Sequence, residues 1–151
     1  MAIIETGNGS VSISYQSIFY YLDDSFRNVE SDNLAFLYAL RDLDITRVTN
    51  RFLPLRKCMT EYFADSAFVD RTFMDICRHI AEKMRLPFSD VRSDLEYTLD
   101  MVWNGYDYHR LKSRYDLSPE DDLADAPNKS RLLSLFCLLA YVNYKELIFG
   151  R

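Results

Sequence analysis

His79 has Asp75 one helical turn before it and Glu82 one turn after, so an imidazole and two carboxylates can share a helix face. Such a trio can hold a cation. A metal site, however, needs a shell closed by further His, Cys or carboxylate ligands, and no second His or Cys stands at ligand spacing. The trio therefore reads as a solvated ion-pair face. Cys58 follows Arg56 and Lys57, whose charges favour a thiolate, but its apolar surroundings favour packing.

Other chemistry of helical proteins needs pairs that this chain does not carry. There is no Glu-x-x-His for di-metal work, no adjacent His-Asp pair, no Gly-rich phosphate loop and no Cys-x-x-Cys. The spaced Arg and His of helical nucleotide-binding RNases are also missing, because Arg78 adjoins His79 and Arg71 lies too far before it. No catalytic residue, metal or cofactor is expected, and the chain reads as a non-enzyme.

Two patches remain as candidates for binding. In the first, Tyr106, Tyr108 and Arg110, with Asp107, His109, Lys112, Arg114 and Tyr115 around them, interleave rings and cations as surfaces do where bases stack and phosphates pair. Tyr and Arg are equally the residues enriched at protein interfaces. In the second, Asp116, Glu120, Asp121, Asp122 and Asp125 form an acidic run with no Lys or Arg between Arg114 and Lys129. Such a run can accept from a basic partner, imitating a phosphate backbone. It lacks the glycine and terminal glutamate of a calcium loop.

The charge balance favours the protein partner. Asp and Glu outnumber Lys and Arg by 23 to 18, a net charge of −5, which repels nucleic acid. Residues 1 to 46 hold seven acids against Arg27 and Arg41, so the excess is concentrated there. Cys58, Cys77 and Cys137 are odd in number and far apart, which points to reduced thiols in the cytoplasm. Met1 to Ser14 shows no basic start followed by an apolar stretch, so no secretion signal is expected.

The elements that must position these patches are helices. Leu132, Leu133, Leu135, Phe136, Cys137, Leu138, Leu139, Ala140, Tyr141 and Val142 are interrupted only by Ser134. A helix apolar on every side must be surrounded. The run is about half the roughly 20 residues that cross a bilayer, so a core helix from Leu132 to Phe149 is expected and no membrane contact. Ahead of it, the residue periods predict helices from Ser14 to Val29, from a Ser31 or Asp32 cap, from an Asp44 cap with a kink or break at Pro54, from Ser66 to before Pro87, and from a Ser89 cap to Asn104-Gly105. The last two form a hairpin through Leu86-Pro87-Phe88. Ala2 to Thr6 and Ser10 to Ser14 alternate around Gly7-Asn8-Gly9 as a small β-hairpin or loose arm.

The expectation is thus a mainly α chain, residues 1–151 in a single domain, with six to seven helices bundled around a C-terminal core helix. Its expected role is a protein-binding inhibitor of a basic partner, such as an immunity protein neutralising a nuclease toxin or a phage protein blocking a host defence. An RNA- or nucleotide-associated regulatory module is the alternative. The core assignment generates a test. Leu135→Asp or Leu139→Asp should abolish cooperative thermal unfolding and most far-UV circular dichroism, since an unpaired buried charge costs several kcal/mol against a total of about 5–15. A variant melting like the parent would make this helix peripheral.

Overall fold

The apolar C-terminal stretch is enclosed, and the enclosure defines the architecture. The computed structural model describes residues 29–123 and 127–150. Among the described residues there are six α-helices and no strand: α1 (Val29–Asp42), α2 (Leu53–Ala64), α3 (Phe73–Met84), α4 (Phe88–Gly105), α5 (Tyr108–Tyr115) and α6 (Lys129–Phe149). The expected hairpin in residues 1–14 and helix from Ser14 lie outside the described residues. One buried hydrophobic cluster takes side chains from all six helices.

Helix α6 packs most extensively on α1, where Phe36 and Phe136, both fully buried, meet edge to face with ring centroids 5.6 Å apart. Helices α2 and α4 cover further faces of it. Enclosure is complete from Leu132 to Ala140 apart from partly buried Ser134 and Leu138, and it fails in the last turn: Leu147, Ile148 and Phe149 are exposed, Phe149 by 78%. The expectation that the whole stretch to Phe149 is surrounded is corrected there. By length and composition α6 is also sufficient to cross a membrane, with 44% of its most apolar window buried in this fold. Core helices pass the same test, so the run length was not the discriminating feature.

Helix boundaries moved for local physical reasons. Ser31 and Asp32 lie inside α1, and Asp32 is fully buried. Asp44 adopts the left-handed conformation (φ 58°) that closes α1, while the Ile45 amide returns to the Leu40 carbonyl at 2.9 Å. It is a helix terminator instead of the expected cap. The chain then runs irregularly to a single 3-10 turn, Asn50–Phe52, capped by Thr49. Of the expected kink or break at Pro54 the structure shows a break: α2 begins at Leu53 with Pro54 in its first turn, where a proline removes only a donor that had no partner.

The expected long helix from Ser66 is likewise divided. Asp65 caps a 3-10 turn over Ser66–Asp70, and the Thr72 hydroxyl accepts the Asp75 amide at 3.2 Å to begin α3 afresh. Helices α3 and α4 do form the expected hairpin. Arg85, at φ 57°, ends α3, the Leu86 amide bonds the Ala81 carbonyl at 3.0 Å, and Pro87, not Ser89, occupies the cap position of α4.

Gly105 does not end α4 by a left-handed turn, for the described residues place only Gly150 among glycines at positive φ. It is needed because the chain leaving α1 crosses it. A Cβ on Gly105 would stand 1.8 Å from the Leu43 carbonyl oxygen and 2.8 Å from its carbon. Gly105→Ala should therefore force backbone apart and lower unfolding stability by about 1–3 kcal/mol in urea denaturation, although alanine is the better helix former. Equal or greater stability in the variant would show that the seam yields.

Candidate functional site

Where α4 gives way to α5, the Leu43 to Ile45 segment lies across the joint and an open cavity of about 830 Å³ forms. The Asp107 carboxylate caps α5, accepting the His109 amide at 3.1 Å and the Arg110 amide at 3.4 Å. Two turns later Asp116, at φ 53°, closes the helix. From Tyr108 onward the aromatic and basic segment is thus a short helix with Leu111 and Tyr115 buried, one turn apart, and Lys112 and Ser113 exposed. Trp103 at the end of α4 stacks on Tyr106 with centroids 5.7 Å apart and planes 14° from parallel.

The two candidate patches meet at one hydroxyl. Tyr106 donates to the Asp122 Oδ1 at 2.7 Å and accepts the Leu123 amide at 3.0 Å. The acidic segment is thereby tied beside the aromatic one, and Tyr106, Tyr108, Arg110 and Asp122 all line the cavity. Burial, reinforced by the bond to Asp122, pushes the Tyr106 phenol up to about 12.

The remaining acids serve other tasks. Asp121 accepts from the Ser118 amide and hydroxyl, at 2.8 and 3.0 Å, closing a capping box on the 3-10 turn Pro119–Asp121. Asp116 is the terminator just described, and Glu120 is exposed. Asp125 lies outside the described residues. Arg110 is partly committed to the fold, donating Nη1 to the Asp42 carbonyl and Nη2 to the Gly105 carbonyl at 2.9 Å.

Two groups escaped the sequence reading. Asp44 lines the cavity with its side chain 83% exposed, from a loop remote in sequence. Behind α5 lies a polar network: Arg114 donates to Asn143 at 2.6 Å and to Glu146 at 3.0 Å, Asn143 donates to the Tyr115 hydroxyl at 2.8 Å, and Tyr115 donates to Asp42. Burial raises the Tyr115 phenol well above its ordinary value, and the Asp42 carboxylate raises it further. Asn143 was the available signal, since a polar residue on a core helix must find partners when buried.

The expected groupings around His79 and Cys58 resolve differently. Asp75 pairs with Arg78 at 2.8 Å, whereas His79 Nε2 meets Glu61 of α2 and Nδ1 faces Arg71 at 3.4 Å. Among the described residues no three His, Cys, Asp or Glu are grouped to hold a metal. Cys58, Cys77 and Cys137 are free and buried. Burial pushes the Cys58 thiol well above its ordinary value, so the expected thiolate-favouring effect of Arg56 and Lys57 does not prevail.

Tyr106→Phe tests the clamp. It leaves the Leu123 amide and Asp122 without their partner and should cost about 1–3 kcal/mol at neutral pH. A phenol raised in the folded state contributes stability that is complete below its unfolded value near 10 and is lost as pH rises through about 12. The gap between parent and variant, measured by urea denaturation at pH 7, 9 and 11, should therefore narrow at the highest pH. A constant gap would place the stabilisation elsewhere.

In comparisons with known proteins, the chain matches no family model, no curated protein and no solved structure.

Proposed function

We propose that this chain is a non-enzymatic inhibitor that binds a basic protein partner through the face around Tyr106, acting in the cytoplasm as an immunity or anti-defence protein does. The Tyr106–Asp122 hydrogen bond carries the reading, because it gathers aromatic rings and carboxylates from separate segments onto one open cavity. Asp44, Asp107 and Asp122 face that cavity against the single guanidinium of Arg110. Acidic groups so placed raise association rates with a basic partner through steering. His79 is held by Glu61 and Arg71 and the three thiols are buried, while the other histidine, His109, is exposed and lines the cavity.

The RNA-associated alternative draws less support. Arg110 and Arg114, which would pair with phosphates, spend donors on carbonyls, Asn143 and Glu146.

A photo-crosslinking residue at position 108 should capture a basic protein in cells of the chain's own source, and the same residue at exposed position 83 on α3 should not. Against that partner, Asp44→Asn with Glu120→Gln should slow association several-fold at low ionic strength and little at high salt. Capture of nucleic acid at position 108, or equal capture at both positions, would overturn the reading.

A further inference from the structure

We infer that the cavity beside Trp103 receives an arginine side chain of the partner, its guanidinium lying against the Trp103–Tyr106 stack within reach of the Asp44 and Asp122 carboxylates. This rests on the reading above and adds the chemical identity of the group bound. The two rings are stacked with planes 14° from parallel, so the outer face of the stack is a flat π surface. Among the described residues no Lys or Arg lies over either ring, whereas Lys112 already lies over Tyr108, 5.9 Å from its centroid. The cavity, at about 830 Å³, exceeds what one side chain needs, so its entrance admits the backbone that carries the arginine.

The fold contains its own instance of this recognition. Arg51 lies 3.8 Å over the Tyr97 ring while its Nε donates to Asp94 at 3.0 Å. A ring for the guanidinium face and a carboxylate for its edge satisfy both aspects of that ion. The cavity offers the same two groups in Trp103 and Tyr106 with Asp122, and Asp44, whose carboxylate is 83% exposed and lies 3.8 Å from Arg110 Nη2, adds a second carboxylate that is only loosely paired. Arginine is favoured over lysine because its planar, weakly hydrated cation stacks, whereas an ammonium is strongly hydrated and has no plane to lay on the rings. Arg110 leaves the cavity with a net negative charge, since it is one cation among three acids.

Trp103 is the sole tryptophan, so its fluorescence reports on this cavity alone. The full chain is titrated with a blocked glycine–arginine peptide, its glycine–lysine twin of equal charge, and a single-stranded oligonucleotide. The arginine peptide should give a saturable change, about three-fold or more tighter than the lysine twin. Asp44→Asn should weaken it by about three-fold while melting like the parent, and Tyr97→Leu, at the internal site, should leave it unchanged. Equal response to both peptides, tighter binding of the oligonucleotide, or no response to the arginine peptide would overturn the inference. Capture of a basic protein at position 108 with any of these results would leave the inhibitor reading standing without it.

Discussion

An α-helix without a polar face cannot lie on a surface, and the rest of this chain is arranged by the need to enclose α6. Helix α1 supplies the longest cover, and the shorter helices close the remaining sides. Burying a Phe or Leu side chain is worth about 1.5–3 kcal/mol, so a helix with residues from Leu132 to Ala140 mostly enclosed ties the elements around it into one cooperative body. Register along such a helix is poorly specified by apolar packing alone. Asn143 supplies the specification: its amide oxygen accepts from Arg114 and its nitrogen donates to Tyr115, both on α5, which ties the alignment of α5 to one position on α6.

That alignment carries outward to the cavity. Helix α5 is only eight residues long and would not persist alone, so its position depends on Leu111 and Tyr115 in the core and on the network behind them. Asp42 joins the end of α1 to that network through Tyr115, and its carbonyl receives Arg110. The two walls of the cavity, the chain after α1 and the joint between α4 and α5, are therefore held by the same few polar contacts. The proposed partner face is a by-product of how the core helix is fixed.

Much of this was legible in the sequence where periodicity was strong. Helices α3, α4 and α6 announce themselves by apolar spacing, and the hairpin at Pro87 by turn chemistry. Boundaries were less legible because the same residue type serves opposite purposes: Asp44 resembles a helix starter and is a helix terminator. The residue types of both candidate patches were visible, but their union was not, since it depends on one hydroxyl reaching Asp122 across an intervening helix. His79 illustrates the general limit. Sequence neighbours suggested Asp75 and Glu82, while tertiary packing delivered Glu61 from another helix.

The seam between Gly105 and Leu43 is backbone against backbone, and this separates what can vary from what cannot. The close approach is made by the Leu43 carbonyl group and Cα, not by its side chain. Asp44 sits on that fixed frame with its side chain 83% exposed. A charge on that frame can be rewritten in a single step while the frame persists, with Gly105 as the position that has no freedom to drift.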